Sequence, residues 1–269
     1  MIPKMRPHHP CFFAKDKAAF GRIHLPVASS CNISCAYCRR DHDCAHENRP
    51  GVTSCVISPE AALDRLAGAL EDQPHICVAG IAGPGDAFSR PELTLKTFEL
   101  IQKHFPDLSL CVSTNGLNLA AHAAALHDLG VNFVTITINA IDARIGARLV
   151  KAVTLNGKTV HGEAGARLLI QRQMDAVEAL LTLGFTVKIN TVVIPGINDD
   201  HSLFIAKRFG AMGVNLMNLI PLIPVPGTEM EDVTPPTRRQ MVNLRKAAGN
   251  YIPQMHHCKR CRSDALGCL

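Results

Sequence analysis

Cys31-Asn32-Ile33-Ser34-Cys35-Ala36-Tyr37-Cys38 sets three cysteines in a CxxxCxxC spacing, with an aromatic residue just before the last. The stretch follows a short apolar run from Ile23 to Ala28. A loop this compact can turn three thiolates toward one point, as an iron–sulfur cluster or a soft metal requires. Structural zinc takes two closely spaced pairs, or cysteine and histidine together, and no fourth cysteine completes a pair here. Three ligands on a four-iron cube leave one iron open to a small molecule. A zinc knuckle and three unrelated core cysteines are the other readings of the spacing. The loop's place, after a first strand and ahead of an α/β alternation, weighs against both.

Outward from this loop, strand and helix patterns alternate about six times. Strands are predicted over 22–28, 75–81, 108–113, 131–138, 185–194 and 214–219. Helices are predicted from Pro59 (capped by Ser58) to about 71, from Pro91, and over 120–129, 142–153, 164–183, 199–212 and 237–248. Asn156-Gly157 reads as a turn, and residues 221–236 as a proline-rich loop. Such alternation argues a mostly parallel sheet, open or closed into a barrel, with the functional loops after the strand C-termini. We expect one domain over 1–269, with a core of about 22–250 and arms at 1–21 and 251–269.

Composition narrows the function. The formal charge of +5 is mild, and no Lys/Arg run suggests a nucleic-acid footprint. No stretch is long and apolar enough for a membrane span, and the N-terminus lacks the apolar core of a signal peptide. A cytoplasmic protein is expected. Eleven cysteines, an odd number without a secretion signal, argue against a disulfide framework. They crowd the first quarter and the last dozen residues, which suits a fold that brings its termini together over one metal-rich cavity.

The cysteine loop resembles that of the radical S-adenosylmethionine enzymes, in which the open iron binds the amino and carboxylate groups of S-adenosylmethionine. That resemblance implies a partial (β/α)6 TIM-like barrel carrying N- and C-terminal cluster-binding arms. It also implies a set of S-adenosylmethionine contacts. Tyr37 lies within the loop, and Gly80, Ala82, Gly83, Gly85 and Asp86 lie in the glycine-rich turn after the second strand, where backbone can approach a ligand. Ser113, Thr114, Asn115 and Asn139 end strands. Lys188 and Asn190 share one face of the fifth strand, and Ile194 and Pro195 follow it. Structural caps and turns are the alternative at each position, and a buried Lys188 would need a charged partner.

A narrower pattern is similar to that of the maturases that build the iron–sulfur precursor of the nitrogenase cofactor. It comprises His9-Pro10-Cys11, His24, the cysteine loop, Asp43-Cys44-Ala45, Arg49-Pro50-Gly51-Val52 and Ala79–Asp86. It continues through Ser113–Leu117, Thr135–Ala140, Ile194–Asp199 and His257-Cys258-x-x-Cys261-Arg262. The resemblance implies three 4Fe-4S clusters. One is on Cys31, Cys35 and Cys38; one substrate cluster is on His24, Cys44 and Cys111, and a second on Cys11, Cys258 and Cys261.

It further implies a reaction in steps. One S-adenosylmethionine methylates a cluster sulfide, and a second yields a 5′-deoxyadenosyl radical that takes hydrogen from that methyl. The two cubes then fuse around a carbide with an added sulfur. Glu47 and Arg49 are candidates for proton handling or loop positioning, or else a salt-linked surface loop. The implied partners are a cluster donor, an electron donor and cofactor carrier or scaffold proteins, served by a monomer. The chain ends just after Cys268, and we expect the stand-alone type without a carrier-like C-terminal domain. Gly85-Asp86-Ala87-Phe88, Asn48 and Cys55 depart from the family wording, and Cys55, Cys77 and Cys268 fall outside the assigned ligand sets. An enzyme with auxiliary clusters acting on a peptide or small organic substrate is the alternative.

Overall fold

The structure, a computed structural model, describes residues 8–39, 55–259, 261 and 263–269. Cys44, Glu47 and Arg49 lie outside the described residues. The strands are β1 (Gly21–His24), β2 (Ile33–Cys35), β3 (Ile76–Ile81), β4 (Ser109–Thr114), β5 (Val131–Thr137), β6 (Val150–Leu155), β7 (Lys158–His161), β8 (Thr186–Val193), β9 (Leu216–Pro221) and β10 (Leu266–Gly267). The helices are α1 (Pro59–Asp72), α2 (Pro91–His104), α3 (Ala123–Asp128), α4 (Ala143–Leu149), α5 (Gly162–Thr182), α6 (His201–Ala211) and α7 (Arg238–Ala248).

One seven-stranded sheet runs β10-β1-β3-β4-β5-β8-β9. Its strands from β1 to β9 pair in parallel, and β10 closes the β1 edge antiparallel. This is the curled, partial barrel expected of the sequence. Ser58 caps α1 by accepting from the Ala61 N–H, and Thr237 with Gln240 forms a capping box on α7.

Period-two alternation divides the sheet into two chemistries. Ala79, Ile81, Leu110, Val112, Val134, Ile136, Val187 and Ile189 point outward into the main apolar core beneath the helices. Their alternates point into the lumen, where His24, Ala82, Cys111, Ser113, Thr135, Lys188 and Asn190 line one cavity. The polar lumen lies inside a shell of buried hydrocarbon.

Four short strands escape the sequence reading. The 142–153 segment does not continue as one helix: α4 ends at Leu149, and Val150–Leu155 turns at Asn156 (φ 51°) and Gly157 (φ 75°) into β7. These consecutive left-handed residues make the primed turn that hairpins prefer. The hairpin then pairs antiparallel with β2, inside the cysteine motif, matching Ser34 with Ala152 and Cys35 with Val150. β10 was also unforeseen, because two residues carry no periodicity. Its strand character comes wholly from β1, with Arg22 opposite Gly267 and Ile23 opposite Leu266.

Candidate iron–sulfur and S-adenosylmethionine site

The cysteine loop is held from three sides. Beneath it, the hairpin supplies the pairing to β2, and the Ala36 N–H donates to the Leu149 carbonyl at 2.9 Å. Cys35, Ala36 and the fully buried Tyr37 pack with Ile33, Val192, Ile194 and Leu222 in a second apolar cluster. The glycine-rich turn docks against the loop's entry: the Gly85 and Asp86 N–H groups donate to the Ala28 and Ser30 carbonyls, at 2.7 and 2.8 Å. A Cβ on Gly85 would collide with the Ser30 carbonyl, so only glycine allows this approach.

Several residues that the sequence grouped as S-adenosylmethionine contacts are committed to that scaffold. The Asp86 carboxylate accepts from the Thr114 hydroxyl (2.8 Å), the Asn115 N–H (2.6 Å) and the Phe88 N–H (2.9 Å). Burial pushes its carboxyl above the ordinary range, against these donors, which hold it down. The Asn139 amide donates to the Tyr37 hydroxyl at 2.6 Å, while its carbonyl oxygen accepts from the Val192 N–H at 2.8 Å. The Asn115 amide donates to the Asn32 side-chain oxygen at 2.7 Å and stands 3.8 Å from the Cys31 sulfur. Ile194 is packed in the apolar cluster around Tyr37, and Pro195 lines a separate groove with Asp199 and Met241. Gly80, Ala82, Ser113, Lys188 and Asn190 stand deeper, along the lumen.

Sequence reasoning missed part of this bracing. Gln173, buried in the apolar stripe of α5, donates to the Asn115 and Thr137 carbonyls at 2.8 and 3.0 Å. Asn198 donates to the Asn139 and Val192 carbonyls at 3.0 and 2.8 Å. The readable signal for Gln173 was one amide among Leu169, Ala176, Val177 and Leu180.

Below the loop, the second constellation fills the lumen. Parallel register sets His24 of β1 beside Gly80 of β3, and Gly80 beside Cys111 of β4. A Cβ at Gly80 would stand 2.5 Å from the Cys111 sulfur and 3.5 Å from His24 Cδ2, so this glycine makes the gap between the two candidate ligands. Cys11, Cys258 and Cys261 line the same cavity. The arms are stitched together there: His257 Nε2 donates to the Pro10 carbonyl at 2.8 Å, and the Leu269 N–H to the Lys17 carbonyl at 3.0 Å. Burial, opposed by the charges of Lys188 and Arg22, raises the Cys11 thiol to about 11.

The donor sets suit iron–sulfur cubes. Both are dominated by soft thiols, and the loop's three come from one short segment. Among the described residues no three His, Cys, Asp or Glu side chains converge on a single ion. A cube does not require that, because it presents a different iron to each thiolate.

Comparison with known proteins agrees with this geometry. Residues 25–208 match the Radical SAM superfamily, and the chain belongs to that superfamily. S-adenosylmethionine and iron–sulfur binding accord with both that membership and the cysteine loop. More particularly, the chain is 43% identical over 262 residues to the FeMo cofactor biosynthesis protein NifB of Chlorobaculum tepidum, covering 97% of this chain and 62% of that protein. It is 41% identical to the NifB of Klebsiella pneumoniae, covering 97% and 57%. The chain thus spans roughly three fifths of these relatives' length. In fold it is similar to anSMEcpe with bound AdoMet (TM-score 0.59, 17% identity, 86% of this chain and 60% of that one). It is also similar to methylornithine synthase (TM-score 0.57, 13% identity, 94% and 77%). Among the described residues no helix is long and apolar enough to cross a membrane.

Proposed function

We propose that this chain fuses two 4Fe-4S clusters into an eight-iron nitrogenase-cofactor precursor, inserting a methyl-derived carbide and an added sulfur. The observation that carries the reading is the lumen, where Cys11, His24, Cys111, Cys258 and Cys261 line one cavity although they come from both ends and the middle of the chain. Two iron–sulfur substrates that must meet need two ligand sets facing one space, and four thiols and an imidazole supply them here. The similarity to NifB proteins supports the same reading.

In this proposal Cys31, Cys35 and Cys38 hold the resident cluster, which when bound supplies the electron for reductive cleavage of S-adenosylmethionine. His24, Cys44 and Cys111 hold one substrate cluster, and Cys11, Cys258 and Cys261 the other. The chain's own work is placement and exclusion. Gly80 leaves room between His24 and Cys111, the arms close the lumen, and the Asp86–Thr114–Asn115 and Tyr37–Asn139 contacts fix the cysteine loop. Tyr37, Gly83, Gly85, Thr114, Asn115 and Asn139 surround the S-adenosylmethionine mouth, and Glu47 and Arg49 are assigned to proton handling or loop positioning. A cluster donor, an electron donor and carrier or scaffold proteins complete the cycle, with the chain acting as a cytoplasmic monomer.

The test is anaerobic. Reconstituted protein is given reductant and S-adenosylmethionine, and 5′-deoxyadenosine and S-adenosylhomocysteine are quantified together. Both products should form and fall together in a Cys258→Ser/Cys261→Ser variant. Deoxyadenosine without S-adenosylhomocysteine would overturn the proposal in favour of an organic substrate.

A further inference from the structure

Lys188 is a cation in an unusual place. It sits on β8, 6% exposed, with its side chain in the lumen and Nζ 4.7 Å from the centre of the Phe12 ring. Among the described residues it has no hydrogen bond and no carboxylate partner. Among the described residues no Asp or Glu lines the cavity it faces, and that cavity is shared with Cys11, Cys258 and Cys261. A buried ammonium without a counter-charge is unfavourable, and an anion entering the lumen would supply that charge.

His9 makes the same argument independently. Its Nδ1 accepts from the Cys11 N–H at 3.1 Å, which leaves the ring proton on Nε2. That Nε2 is buried in the cavity wall with no partner. The ring is fixed edge-on against Phe12 and Phe133, with centroids 4.7 and 4.6 Å away, so the donor cannot swing out to water. Arg22, also buried, already donates to the Cys261 sulfur.

We propose that Lys188 Nζ and the His9 Nε2–H are positioning donors for the iron–sulfur substrate on Cys11, Cys258 and Cys261, supplying the counter-charge and hydrogen bond that hold the anionic cluster in the lumen. The inference rests on the proposed function, and it adds two residues that ligate no iron. A cluster carried by three thiolates is anionic, and hydrogen bonds and positive charge at its sulfur atoms retain it and make it easier to reduce.

The experiment separates this from a structural role. In a Cys31→Ala/Cys35→Ala/Cys38→Ala background, Lys188→Met, Lys188→Arg and His9→Phe are compared by melting of the iron-free protein, iron content after reconstitution, and redox titration followed by electron paramagnetic resonance. Lys188→Met should leave the iron-free melting temperature unchanged or higher, because an unpaired buried charge has gone. After loading, its cluster should be retained less well or titrate at a more negative potential, with Lys188→Arg restoring most of the difference and His9→Phe shifting in the same direction. A Lys188→Met protein with the parent's iron content and midpoint, or with a lower iron-free melting temperature only, would overturn the inference. A background protein that takes up no cluster on Cys11, Cys258 and Cys261 would instead sink the proposed function.

Discussion

Gly80→Ala tests the lumen most directly, since the change adds one carbon atom between two candidate ligands. Ordinary contact begins near 3.4 Å, and the new Cβ would lie 2.5 Å from the Cys111 sulfur, so that sulfur must retreat by about 1 Å. β3 cannot yield instead, because it is hydrogen-bonded to β1 on one side and β4 on the other. Overpacking of this kind costs about 1–3 kcal/mol. At about 2–4 °C per kcal/mol for a chain near this size, iron-free Gly80→Ala should melt several degrees below the parent. The displaced thiol should also lose its cluster. Iron counted after anaerobic reconstitution should fall, while the spectroscopic change that S-adenosylmethionine causes at the cluster on Cys31, Cys35 and Cys38 should persist. The melting curve is read by circular dichroism and the iron by a colorimetric assay. A variant that melts with the parent and carries its full iron would refute the geometry of the His24–Gly80–Cys111 row.

Two further outcomes follow from the scaffold. Tyr37→Phe removes the acceptor of the Asn139 amide in a buried site, leaving that donor without its 2.6 Å contact. Stability measured by urea unfolding of iron-free protein should fall by about 1–3 kcal/mol, and the spectral response to S-adenosylmethionine should weaken as the loop loosens; an unchanged unfolding midpoint would contradict this. His201 Nε2 accepts from the Ile141 N–H at 3.0 Å, which requires the neutral ring, and burial lowers its pKa below 6.5. The unfolded chain therefore binds more protons below pH 6.5, so stability falls as pH drops through that range. His201→Gln, whose side-chain oxygen can still accept, should flatten part of this slope in unfolding curves taken between pH 5 and 7.

Much of the architecture was readable because it rests on local rules. Apolar spacing, the Ser58–Pro59 start and the Gly130 stop mark out strands and helices whatever surrounds them, and the three-cysteine loop states its chemistry in eight residues. Alternation along β8 likewise marked Lys188 and Asn190 as sharing a face. What sequence could not decide is which partner each polar side chain takes. Asn139, Asp86 and Asn115 follow strand ends at the mouth of a predicted site, yet their hydrogen bonds go to Tyr37, Thr114 and Asn32, which are distant in sequence. Lys188, grouped by sequence with the S-adenosylmethionine contacts on one face with Asn190, lines the lumen beside the thiols of both arms. The β2–β6–β7 sheet and β10 were invisible for the same reason: a short strand is made by the backbone it pairs with. Sequence by itself determined the α/β order, the cysteine loop and the supply of soft thiol donors. Only the tertiary structure decided that Cys11 and Cys261 share a lumen with His24 and Cys111, because strand register and the pairing of the two arms are set by long-range hydrogen bonds that no local pattern encodes.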